Sequence, residues 1–166
     1  MSASQSQMRR EVLEIPVAVD RLLQNGGADI SRAADAMRAR SPAFMVSVAR
    51  GSSDHVATYL KYASELLMGT PIASIGPSVA SIYHRKLALE GAVCLSVSQS
   101  GKSPDIVQMA KMAREGGALS IAMTNDPGSP LAQVSDHTLN LHAGPEISVA
   151  ATKTFVNSAV AGIWLL

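Results

Sequence analysis

At 166 residues the chain is long enough to bury a substantial core, and its length alone argues for one domain. Its residues are 47% hydrophobic, 16% charged and only 4% aromatic, which suits an α/β domain packed with Ala, Val, Leu, Ile and Met. Fourteen basic residues against thirteen acidic ones leave a net charge of +1, so there is no electrostatic case for nucleic acid or an anionic membrane. Any anion held here must be held by local geometry.

The opening residues include Arg9, Arg10, Glu11 and Glu14 and no apolar run, so no signal peptide is expected and the cytoplasm is the expected location. Residues 8–23 carry apolar positions at helical spacing, and Pro16 should kink that helix or split it. Residues 30–40 predict a second helix. From residue 43 the pattern becomes an alternation. Apolar runs at 43–49, 71–75, 92–97, 118–123 and 138–141 predict five strands, with helical patterns at 54–68, 78–84, 103–115 and 129–134 between them. Strands that are apolar throughout are buried on both faces. The expected fold is therefore α/β, a three-layer sandwich around a five-stranded parallel sheet.

The run 92–97 should be the central strand, with Cys94, the only cysteine, as a small core residue. Right-handed crossovers leave few topologies, and the flavodoxin-like order 2-1-3-4-5 is the expectation, with its switch point between strands 1 and 3. Residues 154–166 predict a last buried helix, too short to span a bilayer and with no closing signal, from which a longer polypeptide is expected.

Open parallel sheets bind ligands beyond the carboxyl ends of their strands at the switch point, so the turns after strands 1 and 3 are the ones to inspect. The first reads Arg50, Gly51, Ser52, Ser53, Asp54, His55; the second reads Ser98, Gln99, Ser100, Gly101, Lys102, Ser103, Pro104, Asp105. Each leads into a helix, whose free N–H groups and dipole suit a dianionic phosphate. Gly101 permits a tight turn, while Ser103 as N-cap and Pro104 behind it mark a helix start. Three or four charge-assisted hydrogen bonds, each about 1.5–3 kcal/mol, hold a phosphate without a basic cluster. The turn from Ser98 to Ser103 is accordingly predicted to bind phosphate. The plain alternative, serines serving only as caps and turn formers, weakens when two such turns meet at one switch point.

Rival motifs lack their residues. A P-loop would need Gly at 96, where Ser96 stands, and a nucleophile elbow around Ser100 would need Gly at 98, where Ser98 stands. No G-x-G-x-x-G follows any strand. His55, His84, His137 and His142 show no metal-ligand spacing, so neither metal nor cofactor is expected. His84, at the end of a short helix, is a minor ligand candidate; His137 and His142 flank the fifth strand, and Asp126, Pro127 and Gly128 form a turn. A third polar loop, residues 143–153, follows strand 5 and runs into the last helix. Its Glu146 and Lys153 are weak catalytic candidates, beside the plain alternative of an exposed acid and base.

Together these loops resemble the sugar isomerase (SIS) domain family, most of all the isomerase half of glucosamine-6-phosphate synthases and the stand-alone deaminases/isomerases of amino-sugar phosphates. The matching residues are Arg50, Gly51, Ser52 and Ser53; Ser98, Gln99, Ser100, Gly101 and Ser103; and Ala143, Gly144, Pro145, Glu146, Ile147, Val149, Ala150, Thr152 and Lys153. The likeness covers nearly the whole chain. Met8 to Pro16 is similar to the helical lead-in of that half, which implies a lead-in over residues 1–40 and a SIS domain over 41–166, the first of two in a longer protein. The resemblance implies that Ser98, Gln99, Ser100, Gly101 and Ser103 hold the phosphate of a hexose 6-phosphate. It also implies that Gly51, Ser52 and Ser53 contact the sugar and that the backbone around Val149 lines the pocket.

Two departures stand out. Ala151 replaces the Ser that usually precedes the Thr-Lys pair in the synthases. Lys102-Ser103-Pro104-Asp105, where synthases tend to have Glu-Thr, leans toward the deaminase-like branch. With no glutaminase segment ahead of the lead-in, the implied activity is glutamine-independent: glucosamine 6-phosphate converted to fructose 6-phosphate and ammonia, in a homodimer. That interconversion needs a general base at C1/C2. The family's ring-opening His and proton-shuttling Glu and Lys belong to the second domain, so this stretch is expected to anchor the substrate without supplying the base. A non-catalytic sugar-phosphate sensor and a phosphosugar aldose–ketose isomerase are the alternatives.

Overall fold

Pro16 splits the N-terminal helical pattern rather than kinking it. In the computed structural model, which describes residues 6–166, α1 (Gln7–Leu13) ends at Glu14. Helix α2 (Ile15–Asn25) then starts with Pro16 in its first turn, where the missing N–H breaks no bond. After α3 (Gly27–Arg40) the strands and helices alternate as β1 (Met45–Val48), α4 (Ser52–Met68), β2 (Ile72–Ser74), α5 (Ser78–Ser81) and β3 (Val93–Val97). They continue as α6 (Pro104–Glu115), β4 (Leu119–Thr124), α7 (Pro130–Val134), β5 (His137–Asn140) and α8 (Lys153–Leu165). The five strands form one parallel sheet in the order β2-β1-β3-β4-β5. The expected three-layer arrangement and its switch point are both present.

Alternate strand residues feed two separate cores. Met45, Val93, Leu95, Val97, Ile121, Met123 and Leu139 pack against α2, α3, α4 and α8 through Leu22, Ile30, Met37, Leu60 and Leu165. Val46, Val48, Cys94 and Ala122 face the other way, onto Ile106, Met109 and Leu131 of α6 and α7. The uninterrupted apolar run of β3 follows from this, since every one of its residues is buried. Cys94, its second residue, has no exposed surface, and burial pushes its thiol up to about 11.

Several boundaries differ from the sequence reading, three of them consequentially. Helix α4 begins at Ser52, not at residue 54, which puts Ser52 and Ser53 in its first turn. Helix α3 begins at Gly27, not at residue 30. Helix α5 is only four residues long, and His84 lies beyond it at φ +49°, so it does not stand at a helix end as expected. No helix among the described residues is long and apolar enough to cross a membrane.

Candidate functional site

β1 and β3 are hydrogen-bonded neighbours, so the turns that follow them emerge side by side at one end of the sheet. Gly51 makes the first turn with φ +56° and ψ −133°, a backbone region that side chains oppose, and it stands at the N-cap of α4. Ser52 and Ser53 follow it directly, both half-buried. In the second turn the Gly101 N–H donates to the Ser98 carbonyl at 3.2 Å, and Gly101 sits at φ +62°. Space as well as conformation requires glycine there. A Cβ on Gly101 would lie 2.1 Å from Ser129 Oγ and 2.6 Å from Ser129 Cβ.

The second turn is tied to its surroundings mainly through backbone carbonyls. Gln99 C=O accepts from Asn125 N–H at 3.0 Å and from the Thr124 hydroxyl at 3.2 Å; Gly101 C=O accepts from Leu131 N–H at 3.1 Å. The serine side chains remain little used. Ser100 Oγ accepts only a long bond from Lys102 N–H, 3.3 Å. Among the described residues three serines stand at helix N-caps, and they behave differently. Ser6 and Ser129 accept from their own helices, whereas Ser103 makes no cap bond to α6. Helix α4 likewise starts without a side-chain cap. At the switch point, therefore, two helix N-termini open side by side with serines beside them and their donors uncapped.

One ion pair bridges the two turns: Arg50 Nη1 lies 2.8 Å from Asp105 Oδ2. The other oxygen, Asp105 Oδ1, is buried without a partner. A cleft of about 680 Å³ opens beside this pair, lined by Arg50, Pro77, Ser78, Asp105 and Gln108. A second cleft, about 600 Å³, is rimmed by His84, Arg85, Lys86, Lys102 and Lys111.

The third loop is built differently. Its two ionisable residues are both engaged. The Glu146 carboxylate accepts from Thr152 N–H at 2.9 Å, the Thr152 hydroxyl at 2.9 Å, Thr154 N–H at 3.2 Å and the Thr154 hydroxyl. It caps α8 from outside the helix. Lys153 is 2% exposed and its Nζ is paired with Glu14, so the reading of an ordinary exposed base is overturned by burial. Val149 is fully exposed near the middle of the loop.

Several residues that hold this loop carried no local signal in the sequence. Arg21 of α2 donates to His142 C=O at 3.1 Å and Ala143 C=O at 2.7 Å. Asn125 accepts from Ala143 N–H at 2.9 Å and donates to Gly144 C=O at 2.8 Å, which links the second and third loops. Glu11 of α1, 1% exposed, accepts from Ile147 N–H at 2.7 Å and Ser148 N–H at 3.2 Å. Donors from Gln7 first, then Ser148 and Ile147, hold its carboxyl down at about 2 against an ordinary 4.5. Among the described residues no group of three His, Cys, Asp or Glu side chains is placed to hold a metal ion.

Comparison with known proteins gives a consistent answer. The SIS domain family model matches residues 43–166. Glutamine–fructose-6-phosphate aminotransferase [isomerizing] of Sulfurisphaera tokodaii is 31% identical over 160 residues, covering 96% of this chain and 26% of that protein. The chain thus spans about a quarter of that curated relative's length. A crystal structure of a phosphosugar isomerase candidate from Silicibacter pomeroyi DSS-3 is 63% identical, with a TM-score of 0.94, over 97% of this chain and 49% of that one. Vibrio vulnificus NanR, solved in complex with ManNAc-6P, shares the fold at 16% identity and a TM-score of 0.76, over 98% of this chain and 61% of that one.

Proposed function

The chain belongs to the SIS domain family, and we propose that it forms the substrate-anchoring part of an amino-sugar-phosphate deaminase/isomerase. One observation carries the anchor: α4 and α6 start side by side with serines in their turns and no side-chain cap, so their donors are left for an anion. The phosphate of a hexose 6-phosphate is assigned to Ser98, Gln99, Ser100, Gly101 and Ser103. The sugar is assigned to Gly51, Ser52, Ser53 and the backbone at Val149. The ManNAc-6P bound to NanR supports a sugar phosphate as ligand, and kinship with aminotransferases supports an amino sugar.

The proposed reaction takes glucosamine 6-phosphate and water to fructose 6-phosphate and ammonia. A proton must move between C1 and C2, which needs a positioned base. Glu146 and Lys153 are tied into helix capping and an ion pair, so the base is assigned to a second SIS domain, with residues 1–40 as lead-in and 41–166 as the first. The length of the Silicibacter pomeroyi protein, about twice that of this chain, supports that division. Cytoplasmic location and a homodimer complete the proposal. A second reading, non-catalytic sugar-phosphate sensing, uses the same anchor and draws on the engagement of those two residues.

Calorimetric titration of this chain with hexose 6-phosphates tests the anchor. Binding should weaken at least about tenfold in the double variant Ser98→Ala with Ser100→Ala, since two hydroxyl bonds to a dianion are lost. Affinity that survives the double change would sink the loop assignment. An ammonia-release assay on the full-length protein tests the chemistry; no ammonia from any amino-sugar phosphate ends the deaminase proposal in favour of aldose–ketose isomerisation.

A further inference from the structure

The loop between β5 and α8 has no regular structure and almost no core of its own. Ile147 and Val149 point into solvent, and Pro145 and Ala150 are exposed as well. A segment of that kind keeps one conformation only if something outside it holds the backbone. Its start is held by Arg21 and Asn125, and its end by Glu146 on α8. The middle, immediately before Val149, is held by one side chain, Glu11, which arrives from 136 residues away in the sequence to take the Ile147 and Ser148 N–H groups.

Helix α1 itself has no need of an acid at that place. A buried position on a helix is filled at least as well by an apolar residue, because a carboxylate there must be desolvated and recovers that cost only through donors. Apart from Gln7 on its own helix, the donors it finds are all on the loop. The charge therefore serves the loop's geometry more than the helix's packing. Glu14, three residues on, makes a second tie to the same region through buried Lys153.

We propose that Glu11 is a positioning residue for the ligand, fixing the backbone of Ile147 to Val149 where it faces the sugar, and so acting on sugar recognition but not on the phosphate anchor. This rests on the sugar-phosphate reading above. The N-terminal lead-in is then part of the binding apparatus and not a mere connector.

The test uses this chain with Glu11→Ala and Glu11→Gln. The Gln variant keeps one carbonyl oxygen for Ile147 and guards against simple misfolding. Amide hydrogen exchange of residues 143–152 and titrations with a hexose 6-phosphate and with inorganic phosphate are compared with wild type. In Glu11→Ala, exchange should quicken at Ile147 and Ser148, and hexose 6-phosphate should bind at least about tenfold more weakly, with inorganic phosphate unchanged. Glu11→Gln should fall between. Unchanged exchange overturns the proposal, and so does an equal loss for both ligands, which would mean general destabilisation. If wild type binds inorganic phosphate but no hexose 6-phosphate, the sugar-phosphate reading falls instead, and the exchange arm alone decides whether Glu11 holds the loop.

Discussion

The turns after β1 and β3 and the loop after β5 reach the same end of the sheet by opposite means. The first two are shaped through their backbone: positive-φ glycines at 51 and 101 and, in the second turn, carbonyls bonded to Thr124, Asn125 and Leu131 set their path, leaving serine hydroxyls and helix N-termini little used. The third is shaped from outside, by Glu11, Glu14, Arg21 and Asn125 reaching in from other elements. A turn held through its backbone can offer its side-chain hydroxyls to a ligand because it does not need them for folding. A remotely held loop commits its polar groups to being held, and has its exposed backbone and apolar tips left to offer.

The contrast can be broken or sharpened by substitution. Gly101→Ala should have the largest effect, a destabilisation of about 3 kcal/mol in urea unfolding, because both φ and the contact with Ser129 oppose a Cβ. A cost below about 1 kcal/mol would mean that the second turn does not depend on a glycine at 101. Glu14→Ala should come next, about 2 kcal/mol, since it leaves the Lys153 ammonium buried and unpaired. The half-exposed Glu14 keeps this below the 3–5 kcal/mol typical of a fully buried pair. If the loss is no larger than that of a surface pair, the third loop is not held from outside at that point. The smallest effect is a difference between two caps. Ser129→Ala should cost about 1 kcal/mol through its lost cap, and Ser103→Ala less than about 0.5 kcal/mol. Equal costs would show that Ser103 is spent on α6 after all.

The same division governs what could be read from the sequence. Apolar runs without alternation pointed to buried parallel strands, and β3 is the sheet's central strand because none of its residues needs solvent. Ser103 followed by Pro104 located the start of α6 to the residue. The start of α4 was read two residues late, because serines look like turn residues although Gly51 already closes the turn ahead of them. His84 was misplaced since nothing in its neighbours announces a φ of +49°. Glu11 and Glu14 look like ordinary helix charges. Their partners lie 136 to 139 residues away, beyond the reach of any periodicity or cap rule, so the third loop's supports became visible only in three dimensions.

Cys94 offers one more use of the central strand. It sits fully enclosed in the core under α6 and α7, with its thiol pushed up to about 11, so a thiolate forms there only rarely while the sheet is intact. A thiol-labelling reagent must wait for the strands to part. Its rate on the folded chain is thus a native clock for sheet opening, blind to fraying at the ligand loops and already present in the sequence without any engineered probe.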